Sequence, residues 1–105
     1  MSGLGEMGNL LKQAQEMQRQ LDAARSELRA RVVEGSAASG AVRVEISADR
    51  HEVHGVRLMP NAPTDPRALE EAVQAALRDA LRRAEDLERE AIGRITGGMH
   101  LPGLL

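Results

Sequence analysis

The sequence predicts an α+β domain of order α-β-β-β-α: a helix, a three-stranded antiparallel meander and a second long helix. Three observations carry this reading. Leu10, Ala14, Met17, Leu21, Ala24 and Leu28 recur at alternating steps of four and three, which is the a/d seam of a helix packing along one narrow stripe. Val42, Val44 and Ile46 alternate with Arg43, Glu45 and Ser47, the period of a strand with one face covered. Leu69, Val73, Ala76, Ala80, Ala84, Leu87 and Ala91 then resume the heptad steps.

The first helix is predicted from Asn9, a residue type that caps helices, to Arg31. It would be about 33 Å long at 1.5 Å per residue. Residues 1–8 contain Gly and Ser and are expected to fray. Val32-Val33-Glu34 reads as a short strand, ended by the small turn-forming residues Gly35-Ser36-Ala37-Ala38-Ser39-Gly40. A second strand follows over Ala41 to Ser47. After the hairpin connection Ala48-Asp49-Arg50-His51, a third strand runs from Val53 to Met59, with Val56 and Leu58 facing in. Pro60 and Pro63 stop the sheet.

The second helix has stronger punctuation. Asp65 can cap it, and Pro66 sits in the first turn, where a helix tolerates proline. Leu77 and Leu81 widen its apolar stripe, and Gly97-Gly98 ends it. Residues 1–105 form a single domain, with 98–105 read as a flexible tail.

Composition bounds the function. The 105 residues include no Phe, Tyr, Trp or Cys. Without aromatic side chains the core loses its largest single burials, so two heptad seams and a thin core together predict a homodimer. Stacking platforms for single-stranded nucleic acid are missing, as is thiolate chemistry. The first residues have neither a basic n-region nor an apolar h-region, and no apolar run approaches the ~18 residues of a membrane span, so a cytoplasmic protein without membrane contact is expected. The net charge of −2 argues against a polyanionic partner. Its distribution softens that objection slightly. Asn9 to Arg31 carries five basic and three acidic side chains, whereas Asp65 to Ile95 carries six and eight.

Sites for small-molecule chemistry are not evident. His51 and His54 stand three apart and would point to opposite faces of one strand, so no metal site is expected. No Gly-x-Ser-x-Gly elbow is present, and Gly35 to Gly40 joins two strands instead of entering a helix, so it lacks the dipole of a phosphate loop. Neither an enzyme nor a cofactor is predicted. The arginines remain. On the second helix, Arg78, Arg82 and Arg89 share a stripe opposite the apolar face, interrupted by Glu71 and Glu85.

Several segments are distinctive in wording. Leu10-Leu11-Lys12-Gln13-Ala14-Gln15-Glu16-Met17-Gln18 resembles the opening helix of the YbaB/EbfC family of bacterial nucleoid-associated DNA-binding proteins. Val42-x-Val44-x-Ile46, Val56-Arg57-Leu58-Met59-Pro60, Ala75 to Arg83 and Gly97 to Gly103 match the same family, in order, from about Leu4 to Leu105. The loops depart from it: Gly35 to Gly40 has fewer glycines, and Asp49-Arg50 stands where a glycine is common. The resemblance implies a dimer whose sheets join and whose helices project like tweezers. It also implies a cytoplasmic, nucleoid-associated protein that binds duplex DNA with little sequence specificity. No base-reading motif transfers residue by residue. The expected DNA contacts are therefore Lys12 and Arg19 on the first helix and Arg78, Arg82 and Arg89 on the second. Two alternatives stay open: an adaptor whose arms grip a partner protein, and a purely structural oligomer.

Overall fold

The computed structural model describes residues 2–97. The order is α1 (Ser2–Ala30), β1 (Val32–Ala37), β2 (Val42–Ser47), β3 (Val53–Leu58) and α2 (Pro66–Thr96). The strands form one antiparallel sheet, β1-β2-β3, with Val33 opposite Ile46 and Val44 opposite Val56. The element order is the one the sequence predicts.

The first correction concerns α1. It starts at Ser2, so Asn9 lies inside the helix and caps nothing. Residues 2–8, expected to fray, are its first turns. Once a helix has nucleated, each further residue costs little, and Leu4, Glu6 and Met7 are good helix formers around Gly3, Gly5 and Gly8. At 29 residues, α1 is about 43 Å long. The tail 98–105, expected to be flexible, lies outside the described residues.

α2 seats on the sheet through its alanines. Ala76, Ala80 and Ala84 are fully buried against Val42, Val44 and Ile46. The approach is closest at Gly35. A Cβ there would stand 2.2 Å from the Ala80 backbone nitrogen and 2.3 Å from the Ala76 carbonyl oxygen. The small residues read as a turn therefore begin as strand, because β1 must pass beneath the helix axis. The turn itself is Ala38-Ser39-Gly40, three residues with positive φ.

α2 covers β1 and β2 and leaves β3 aside. This corrects a second expectation. Val56 and Leu58 share the helix-facing side with Val44 and Val42, yet remain 49% and 51% exposed. Their side faces inward, and no described element covers it.

The caps of α2 are as the residues suggest. The Asp65 carboxylate accepts the Ala68 N–H at 3.0 Å, and Gly97 takes the left-handed conformation at the C-cap. Along α1, Leu21, Ala24 and Leu28 are buried, whereas Leu10 is exposed and Met17 half-buried. Ala24 and Leu28 line a groove with Leu87 and Ala91, while Gln20 and Ala23 lie beside Ile95. The two helices thus run antiparallel, and among the described residues the seam is buried over its last two turns. The first part of α1 projects, which gives the molecule a longest dimension of 74 Å.

One carboxylate fastens the sheet to α2. Asp79 accepts the Ser36 backbone N–H at 3.0 Å and also holds Arg82 and Arg83. The Ser36 N–H, opposed by desolvation and aided by the two arginines, keeps this carboxyl below the ordinary carboxylate range. A depressed pKa in the folded state stabilises above the unfolded value of about 3.9, and this contribution is lost as pH falls through the folded value.

Two outcomes follow. Gly35→Ala should lower stability by roughly 2 kcal/mol or more, since only backbone can yield there; an unchanged urea midpoint would show that α2 is not seated on β1. Asp79→Asn should melt earlier than the parent at pH 7 and lose less on acidification to pH 3. Equal losses in thermal melts would mean that the Asp79 charge contributes nothing.

Candidate nucleic-acid interface

Lys12 and Arg19 are exposed on α1, and Arg78, Arg82 and Arg89 are exposed on the side of α2 away from the sheet. Lys12 stands on the projecting part of α1, a stretch in which residues 3–16 are all exposed. The adjacent turns carrying Arg78 and Arg82 lie over the sheet, and Arg89 lies nearer the α1 crossing.

Their electrostatic settings differ. Lys12 and Arg78 have no carboxylate partner among the described residues. Arg19 is held by Glu16 through one edge of its guanidinium, with Nε 3.1 Å from Oε2 and Nη2 on Oε1. Arg82 donates to Asp79 at 3.1 Å. Arg89 donates to Glu85 at 3.0 Å and approaches Asp86 at 3.9 Å. These pairs follow i,i+3 and i,i+4 spacing and are legible in the sequence once the helix is granted. Arg31, at the α1–β1 junction, is a further cation without a carboxylate partner among the described residues; sequence reasoning passed over it because it marked a helix end.

Other arginines belong to the fold. Arg50, in the β2–β3 turn with a φ of 66°, reaches Glu88 at 2.9 Å and Glu85 at 3.9 Å, tying that hairpin to α2. No local spacing announces a contact of this sequence separation. On the outer sheet face, Arg43 pairs with Glu34 and Arg57 with Glu45. An open cleft of about 360 Å³ between β1 and α2 is lined by Arg31 and Arg83 but also by Glu34, Asp86 and Glu90, so it offers no net positive field to an anion.

Ser47, Asp49 and His51 converge in the hairpin without making a nucleophile. The Ser47 hydroxyl donates to Asp49 and accepts from the His51 and Glu52 backbone N–H groups, so it closes the turn. It is also buried, and the lowered pKa of its Asp49 partner makes that carboxylate a weak base for activating it. The Ser47 hydroxyl, with help from the His51 N–H and against partial desolvation, holds Asp49 below the usual carboxylate range. His51 belongs to this turn and not to a strand, so the expectation that it and His54 share one strand is corrected. Among the described residues no cluster of three or more His, Cys, Asp or Glu could hold a metal ion. No described helix is long and apolar enough to cross a membrane.

This geometry has known counterparts. A solved structure of an uncharacterized protein from Helicobacter pylori superposes with a TM-score of 0.70 over 89% of this chain and 96% of that one, at 16% identity, which speaks to the fold alone. Among curated sequences, a nucleoid-associated protein of Alkaliphilus metalliredigens is 36% identical over 106 residues, covering 99% of this chain and 92% of that one. A nucleoid-associated protein of Acetivibrio thermocellus is 38% identical over 103 residues, covering 95% and 90%. The model of the YbaB/EbfC DNA-binding family matches residues 3–99. Both the nearly complete match and the shared α-β-β-β-α order lead to one conclusion: the chain belongs to the YbaB/EbfC DNA-binding family.

Proposed function

We propose that the protein is a homodimeric, nucleoid-associated DNA-binding protein that acts in the cytoplasm, grips duplex DNA largely through non-specific phosphate contacts, and thereby affects nucleoid organisation or gene expression. The observation that carries this reading is the match of residues 3–99 to a DNA-binding family. The exposed cations Lys12, Arg19, Arg78, Arg82 and Arg89 on two long helices supply a physical means of contact.

Dimerisation is supported by the apolar surface that one chain leaves in water. Val53, Val56, Leu58 and Met59 form an uncovered strip on and just beyond β3, and Leu4, Met7, Leu10 and Leu11 do so on α1. Contiguous apolar patches of this kind mark interaction surfaces. β3 is also a sheet edge, with one row of backbone groups unpaired. A second copy meeting the first along β3 would cover both. Such an assembly sets the two projecting α1 helices apart as arms.

A protein-gripping adaptor is the competing reading. It is favoured by the net charge of −2 and by the carboxylates that already hold three of the five candidate cations.

Two measurements test these points. Sedimentation equilibrium should return about twice the 11.3 kDa of one chain, and Val56→Asp with Leu58→Asp should shift the species toward monomer; a parent that sediments as one chain defeats the dimer. Titration with duplex DNA at two salt concentrations should give binding in the micromolar range or weaker at physiological salt. Replacing each of the five cations by Ala should weaken binding across sequences alike. Absence of duplex binding even at low salt would pass the lead to the adaptor.

A further inference from the structure

Of the fourteen Lys and Arg side chains, only Lys12, Arg31 and Arg78 lack a carboxylate partner among the described residues. The five candidate contacts therefore divide into two classes. Lys12 and Arg78 present their full charge to solvent. Arg19, Arg82 and Arg89 present a guanidinium already engaged by Glu16, Asp79 and Glu85, respectively.

We infer that Glu16, Asp79 and Glu85 are affinity-setting residues, each competing with a DNA phosphate for its arginine, so that Lys12 and Arg78 supply most of the wild-type contact. The inference rests on the DNA-binding reading above and deepens it.

The geometry of competition is direct. A phosphate offers a guanidinium the same pair of oxygens as a carboxylate does, so both seek the same N–H edge. On Arg19 that edge is occupied at Nε and Nη2 by the two oxygens of Glu16. The hydrogen bond from Arg19 also keeps the Glu16 carboxyl below its ordinary range, as a well-formed pair requires. Arg89 has carboxylates toward both of its terminal nitrogens. A phosphate taking the paired edge of either arginine displaces a carboxylate, and on either edge it meets that carboxylate nearby as a like charge. The pairs are solvent-exposed, with Arg19 and Glu16 side chains at 76% and 49%. Exposed pairs hold their partners by no more than roughly fivefold, so exchange is available but lowers affinity. Asp79 is the exception in setting: its carboxylate is only 16% exposed and anchored by the Ser36 N–H, so it is the hardest of the three to displace.

The salt dependence carries the signature. Counterion release scales with the number of phosphates neutralised, at about 0.9 log units per contact. The two uncommitted cations among the five candidates of each chain give, in a dimer, a log–log slope of about −3.6, against about −9 if all five per chain contributed in full.

The decisive experiment is a double-mutant cycle on the full chain with a duplex of arbitrary sequence. Glu16→Gln should tighten binding by roughly two- to fivefold and steepen the salt slope, and should do nothing in an Arg19→Ala background. Glu85→Gln with Arg89→Ala is a second, independent cycle, read beside a thermal melt because Glu85 also faces Arg50. Glu70→Gln, an exposed α2 carboxylate with no ion-pair partner among the described residues, controls for net charge. Tightening by Glu16→Gln that persists without Arg19, or that Glu70→Gln reproduces, overturns the inference and leaves only a general charge effect. Duplex binding that neither glutamine variant tightens overturns this inference alone. No binding by the parent or by either variant at low salt overturns the inference together with the DNA-binding reading.

Discussion

The close seating of α2 on β1 is the constraint on which the rest of the molecule depends. A chain with no aromatic residue cannot fill a wide gap between helix and sheet. It closes the gap instead. Three buried alanines and Gly35 bring the α2 backbone within van der Waals reach of the β1 backbone. Dispersion contacts are then made by main chain as much as by side chain, at the density native cores require. The same choice makes the core narrow. A helix seated that closely over β1 and β2 cannot also span β3, so Val56 and Leu58 face inward yet stay about half exposed.

The apolar surface left over is thus a product of the core and not an independent feature. A small domain buries a modest fraction of its surface, and this one places its deficit in two locations, the β3 strip and the first turns of α1. Both sit at ends of structural elements that project or stand at an edge. An assembly that covers β3 would extend the sheet and complete the core at once, so the proposed dimer and the fold would be one stability problem.

Charge is organised differently from hydrophobicity. The arginines outnumber lysine heavily, and most face a carboxylate one helical turn away or across a strand pair. Arg50 and Asp79 use the same chemistry over long sequence distances, holding the β2–β3 hairpin and the β1 strand to α2. A near-neutral protein of a DNA-binding family is consistent with this economy. Most of its cations are engaged by carboxylates of the fold and its helices, and the proposed nucleic-acid affinity would rest on the few candidates that are not.

The element order, the strand alternation and both ends of α2 within the described residues were legible in the residues, because each depends on local chemistry: Asp65 and Pro66 at the start, Gly97 at the end, and period-two valines in β2. The family likeness was legible too, since it resides in segments such as Leu10 to Gln18 and Val56 to Pro60. Of the candidate interface, the sequence located the exposed cations and the i,i+3 and i,i+4 spacings that pair them. It did not tell which half of the α1 seam would be buried, or that Val56 and Leu58 would stay in water, because a seam states only that a helix has an apolar side. Which neighbour reaches that side depends on where α2 comes to rest. Nor could local spacing give Asp79 its Ser36 partner, or Arg50 its glutamates. Those contacts join segments roughly forty residues apart in the chain, and only the packing of helix on sheet, set by Gly35 and the alanines, brings them within hydrogen-bonding distance.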